Sequence, residues 1–157
     1  VLAYESLSQG MKNILKPLKV HMSGEKVVDA IQKSTSASEN QTMGDVKMSL
    51  SRKKIIEGKI HPMVRQHPES HERSLFIDDV YSKAIVGLSD YESKPLLNFL
   101  VSHITQEIFS CRLRWERGTL AIWDNRICLH RAFNDYDGFR REMHRTTVEG
   151  EKPVQAI

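Results

Sequence analysis

Apolar and polar positions follow two different periods along this chain, and the period changes part-way. From Leu7 to Leu18 (LSQGMKNILKPL), Met11, Ile14, Leu15 and Leu18 recur at helical spacing. Ser8 is placed to cap that helix, and Pro17 is placed to end or bend it. Leu18–Ser23 reads as a short strand. Ile60–Ser89 is strand and turn material, with a turn at HPES and short strands at SLFID and KAIVG. The clearest helix runs from Ser89 to about Gln106. Ser89 and Glu92 have capping-box spacing, and Leu96, Leu97, Leu100, Val101 and Ile104 line one face, with Pro95 allowing a local bend.

Beyond that helix the period falls to two. Cys111, Leu113 and Trp115 alternate with Arg112 and Arg114, ERG turns, and TLAIWD returns, which predicts a hairpin. RICLH reads as another strand, and RREMHRTTVEG as the last. There is no βαβ rhythm and no glycine-rich phosphate loop. The pattern therefore predicts a mainly β domain with helices outside an antiparallel system, a sandwich or jelly roll.

One stretch breaks both periods. Gly24–Lys59 is rich in Ser, Thr, Asn and Lys, and a long connection of that kind is functional or disordered. It is expected to be a mobile, lid-like excursion within one domain spanning residues 1–157, with some helix in EKVVDAIQK and KMSLSRKKIIEG. What precedes it is too short to fold alone.

Composition narrows the classes. The 157 residues carry 39% hydrophobic and 27% charged residues, ordinary for a soluble domain, and a net charge of +3, too small to argue for nucleic acid. The basic run SRKKIIEGK reads as a solvated face. No apolar run has the length of a membrane span, and no signal peptide is visible. Cys111 and Cys128, without CxxC spacing, fit free thiols in a reducing cytoplasm.

The chemistry concentrates between Trp123 and Gly150. On a strand over Arg141–Val148, Arg141, Met143, Arg145 and Thr147 share one face, with the two arginines roughly 13 Å apart at ~3.3 Å per residue. Two readings fit the pair. They meet carboxylate, sulfonate or phosphate oxygens, for which the guanidinium fork is suited, or they face solvent or internal acids. His130, ending RICLH, is either structural or a ligand. A non-haem iron site needs a second histidine and a carboxylate. Among the seven histidines, only His67-Pro68-Glu69 has HxD or HxE spacing, and the intervening proline suits a turn better than a metal clamp. Asp78 and Asp79 are adjacent, so on a strand they point to opposite faces. Serine-hydrolase, zinc-protease, P-loop and CxxC motifs are absent from the sequence.

The run RWERGTLAIWDNRICLHRA, followed by RREMHR, resembles the C-terminal part of the taurine dioxygenase family of Fe(II)- and α-ketoglutarate-dependent oxygenases. The resemblance extends from about Ala3 through Pro153 and weakens across Lys33–Lys54. It implies a double-stranded β-helix (jelly roll), present here as an incomplete C-terminal fragment. It implies that His130 is the distal histidine of the iron triad. Arg141 matches the arginine that binds the far carboxylate of α-ketoglutarate. Arg145 matches a second arginine near the cosubstrate, which in taurine-type members also meets the substrate. Tyr81 falls where an aromatic residue lines the substrate pocket; taurine-type members have Phe there. The implied cofactors are Fe(II), α-ketoglutarate and dioxygen. The implied reaction is hydroxylation of a small anionic substrate, a sulfonate such as taurine, with release of sulfite and an aldehyde. Alkyl sulfates and aryloxyalkanoates are the alternatives within the family, and an inactive anion-binding module is the alternative outside it. The family's HxD ligands and the neighbouring α-ketoglutarate-binding threonine are expected before Val1, so the chain alone is expected to bind no Fe(II) tightly and to be inactive, with no turnover of α-ketoglutarate. The expected protein is cytoplasmic, without nucleic-acid or membrane partners, and a homo-oligomer is left open.

Overall fold

The computed structural model describes residues 1–37, 51–133 and 136–156. The chain opens with two short helices, α1 (Leu2–Glu5) and α2 (Gln9–Leu15), and Ser8 caps α2 by accepting the Met11 N–H at 3.3 Å. Strand β1 (Lys19–Met22) follows, then α3 (Glu25–Ala37) and α4 (Arg52–Glu57). These two helices are the helical pieces expected within Gly24–Lys59; the rest of the expected lid, residues 38–50, lies outside the described residues. Strands β2 (Lys59–Pro62), β3 (Val64–Gln66), β4 (Arg73–Leu75) and β5 (Ser82–Ile85) precede the long helix α5 (Asp90–Ile104), and β6 (Val154–Gln155) closes the chain.

The strands form two antiparallel three-stranded sheets. In one, β1 lies between β2 and β5, with Val20 opposite His61 and Ile85. In the other, β3 lies between β4 and β6, with Arg65 opposite Ser74 and Gln155. The described residues thus show sheets together with helices, as the pattern predicted, but with more residues in helices than in strands, not the mainly β content expected, and with fewer strands than the eight of a full jelly roll.

Helix α5 covers the first sheet because one of its faces is apolar. Leu97 and Leu100 are buried on it, and Leu96 and Ile104 pack alongside. Ser93 fixes the register: its hydroxyl accepts the Ile85 N–H at 3.1 Å and lies 3.5 Å from the Ile85 carbonyl, which ties the helix to β5. The capping box is formed. The Glu92 carboxylate accepts from the Ser89 backbone N–H at 2.9 Å and from the Ser89 hydroxyl at 2.7 Å, and those bonds hold the Glu92 carboxyl below its ordinary pKa. The helix runs through Pro95 without ending. At its far end His103 Nε2 donates to the Ala3 carbonyl at 2.7 Å and fastens α1 beneath it.

The core is continuous. Tyr4, Leu7, Leu15, Val20, Met63, Val64, Ile77, Ile85, Leu97, Leu100 and Ala156 form one buried cluster. Every member comes from residues 1–109 except Ala156, which follows the closing strand.

The hairpin and strands expected between Cys111 and Gly150 are not formed. Their one correct element is the turn: Thr119 N–H donates to the Glu116 carbonyl at 3.0 Å, and Gly118 takes φ +86°. The flanking runs, RICLH and RREMHRTTVEG adopt no strand, and no described residue from 110 to 150 is buried. The physical reason is the absence of a ladder. A strand persists when its N–H and C=O groups bond a neighbour and one face is covered, and no strand among the described residues lies beside these runs. The inward face expected for Arg141 and Arg145 therefore does not exist here.

Candidate functional site

A connected set of hydrogen bonds and ion pairs links the β3–β4 turn to the segment Trp123–His130. It starts from local chemistry. Asp124 begins a turn in which its carbonyl accepts the Ile127 and Cys128 N–H groups at 3.3 and 3.0 Å. Its side chain accepts the Arg126 backbone N–H at 2.8 Å, the Asp side chain bonding two residues ahead. The Arg126 guanidinium then folds back on Asp124, with Nε to Oδ1 at 3.0 Å and Nη2 to Oδ2 at 2.7 Å, a forked charge-assisted pair. Arg126 Nη1 reaches Glu69 at 2.9 Å and Glu151 at 3.3 Å. The Arg126 guanidinium holds the Asp124 carboxyl far below the usual carboxylate range, and Asp124, first, and Glu69 raise the Arg126 pKa in return.

His67 completes the assembly from the core side. It is 5% exposed. Its Nδ1 accepts the backbone N–H groups of Ser70 and Glu69 at 2.9 and 3.3 Å, which fixes the tautomer. Nε2–H then donates to Asp124 Oδ2 at 3.1 Å. Both ring nitrogens are committed, so His67 is not presented to a metal, and Glu69 is engaged with Arg126. The HPE spacing belongs to a turn. Beneath this cluster Arg65, 4% exposed, lays its guanidinium over the Phe76 ring at 5.0 Å; burial lowers its pKa, with Glu151 acting in opposition.

The residues predicted from sequence lie around this assembly rather than together. His130 is exposed, with its ring 5.0 Å from the Trp123 ring. Arg141 is exposed and stands over the Tyr136 ring at 5.1 Å. Arg145 is exposed; its neighbours Arg140 and His144 both approach Glu142. Tyr81, 47% exposed, stands elsewhere, on a cavity of about 480 Å³ between α3, β5 and α5. That cavity is lined by Asp78, Lys83, Leu97 and Val101 among others, and by none of His130, Arg141 or Arg145. A facial iron triad needs two histidines and a carboxylate converging. Among the described residues no group of three or more His, Cys, Asp or Glu side chains could hold a metal. The described residues therefore do not by themselves assemble an iron site.

Sequence reasoning passed over His67, Asp124 and Arg126 as a unit. Asp124-x-Arg126 has the spacing of a side-chain-capped turn, a signal that was available. The pairing of His67 with Asp124, 57 residues away, has none.

The family model for taurine catabolism dioxygenase TauD, TfdA family, matches residues 1–147. The chain belongs to this family. Family members similar to it include an α-ketoglutarate-dependent sulfonate dioxygenase of Saccharomyces cerevisiae, 31% identical over 99% of this chain and 35% of the relative. An α-ketoglutarate-dependent sulfate ester dioxygenase of Pseudomonas putida is 44% identical over 60% of this chain and 31% of the relative. Among solved structures, a taurine dioxygenase from Burkholderia xenovorans superposes with a TM-score of 0.52 at 28% identity, covering 73% of this chain and 32% of that one. The chain thus spans about a third of the length of these family members. The HPES and WDNR runs that meet in the assembly lie in the matched region. Among the described residues no helix is long and apolar enough to cross a membrane.

Proposed function

We propose that this chain is part of an Fe(II)- and α-ketoglutarate-dependent dioxygenase that hydroxylates a small anionic substrate, a sulfonate such as taurine in the first instance. The family match over residues 1–147 carries this reading. The yeast sulfonate dioxygenase, similar across 99% of the chain, supports the substrate class. In this reading His130 is one iron ligand, and the others come from outside the described residues. Arg141 binds the far carboxylate of α-ketoglutarate through its fork, Arg145 meets the anionic group of substrate, and Tyr81 lines the substrate pocket. Iron with α-ketoglutarate and dioxygen supplies the oxidising chemistry. The protein's residues supply orientation and charge neutralisation. The 44% identity to the sulfate ester dioxygenase favours an alkyl sulfate as the second substrate class.

The test uses the protein that carries this chain, offered sulfonates, alkyl sulfates and aryloxyalkanoates, with succinate and sulfite as products. Succinate formation coupled to one of these substrates is the expected result; none with any of them sinks the proposal. Arg141→Ala is expected to raise the α-ketoglutarate concentration needed for half-maximal rate by about tenfold or more, the scale of a lost charged hydrogen bond. An unchanged requirement removes Arg141 from the role.

A further inference from the structure

The segment Trp123–His130 has no strand neighbour and no buried residue, yet it is fastened to the core at one place. That place is unusual in chemistry. A histidine buried in the β3–β4 turn spends one nitrogen organising its own turn and directs the other outward to Asp124. Asp124 is held from the opposite side by Arg126, whose remaining donors reach Glu69 on the same turn and Glu151 just before β6. The connection is therefore three-cornered: a turn, a segment and the approach to the closing strand. Asp124 also accepts, through its carbonyl, the N–H groups of Ile127 and Cys128, and Cys128 lies two residues before His130.

We propose that His67 is a positioning residue for His130, acting through Asp124. It holds the turn at 124–128 against the folded sheet and so sets where the His130 imidazole stands. The chemistry favours this over a simple surface ion pair. An exposed pair contributes little and leaves its partners free to rearrange. Here the imidazole is buried and locked by backbone donors, so its Nε2–H points in one direction only. A carboxylate that meets a fixed donor on one side and a guanidinium fork on the other has one position to occupy. Partners bonded directly to a metal-ligating side chain typically change metal affinity ten- to a hundredfold when removed; His67 acts on His130 through the turn, so the low end of that range is expected. The role assigned to His130 rests on the function proposed above; the latch itself rests only on the contacts described.

The test compares His67→Leu, which keeps bulk and loses both nitrogens, with His67→Gln, whose amide nitrogen can donate to Asp124 and whose oxygen can accept from the turn. Amide exchange on the 157-residue chain reads the latch directly. His67→Leu is expected to lose protection at Ile127 and Cys128 while α5 keeps its own, which excludes general unfolding, and His67→Gln is expected to regain part of it. In the protein that carries this chain, Co(II) replaces Fe(II) as an absorbing probe. The Leu variant is expected to bind it about tenfold more weakly with an altered visible spectrum, and the Gln variant to recover both. Unchanged protection in the Leu variant overturns the latch. Lost protection with unchanged Co(II) affinity and spectrum overturns the positioning role and leaves the proposed function standing. Absence of Co(II) binding in the unsubstituted protein overturns the proposed function, and the role toward His130 falls with it.

Discussion

Residues 19–22 and residues 119–124 carry similar information in sequence and end in opposite states. Both read as short strands, KVHM and TLAIWD, and both follow a turn-forming stretch. Strand β1 has a neighbour on each edge and a helix-covered sheet around it, and its Val20 is fully buried. The run from Thr119 to Asp124 has its turn correctly made but no neighbour, and Leu120 and Ile122 are 83% and 87% exposed. Alternation specifies which side chains share a face. It does not supply the partner strand that bonds the main chain, nor the layer that covers the face. The described residues between 110 and 150 therefore hold on to the core through charge and hydrogen bonds at His67, Asp124 and Arg126, whereas the described residues up to 109 hold together by burial.

The largest effects should separate these two regions cleanly. Leu100→Ala removes a fully buried side chain and is expected to cost about 2–5 kcal/mol in urea unfolding, while Leu120→Ala is expected to stay within about 0.5 kcal/mol. A comparable loss at Leu120 would mean that the second region packs against something. A glycine pair sharpens the contrast next. Gly58 has φ +67° and ψ −158°, and an added Cβ would stand 1.9 Å from the Met22 carbonyl oxygen, so Gly58→Ala is expected to cost about 3 kcal/mol. Gly118 also has positive φ, at +86°, but nothing lies within 4 Å, so Gly118→Ala is expected to cost about 1 kcal/mol. Equal losses at the two positions would show that backbone conformation alone, and not the close approach at Met22, decides the matter.

The smallest effect concerns pH. The folded-state pKa of Asp124 is depressed, by Arg126 first and by His67 to a lesser degree. Its contribution is therefore fully present above the ordinary carboxylate value of ~3.9 and is lost as pH falls from there through the lower folded value. Amide protection at Ile127 and Cys128 is expected to hold from pH 7 to about 4 and to decline below, whereas the fully buried Val20 in β1 should keep its protection over that first decline. Simultaneous loss at both sites would make the latch and the core one cooperative unit. Added salt should weaken protection at the exposed side of the latch more than at Val20.

Much of the first region was legible because its determinants are local. The capping box at Ser89 and Glu92, the apolar face of Leu97 and Leu100, the Ser8 cap and the turn at HPES each depend on residues within a few positions of one another. The sheet strands around β1 were legible as strands but not as neighbours. In the second region period-two spacing predicts strands that do not form, because spacing alone supplies no partner strand. The latch was illegible for a related reason. His67 reads as a turn residue, and Asp124 and Arg126 read as polar residues of a motif; their meeting depends on a chain path that no local pattern encodes.

By itself the sequence determined helix faces, caps, turn positions and the family, because each is carried by residue type at short spacing or by a long matched run. Tertiary structure alone decided that His67 is a buried donor to Asp124. It also decided that Tyr81 stands on a cavity apart from His130, and that the alternating runs after Ser110 stay exposed. The physical reason is common to all three. Burial, hydrogen-bond direction and strand pairing are properties of what stands opposite a residue, and what stands opposite is fixed only when distant parts of the chain meet.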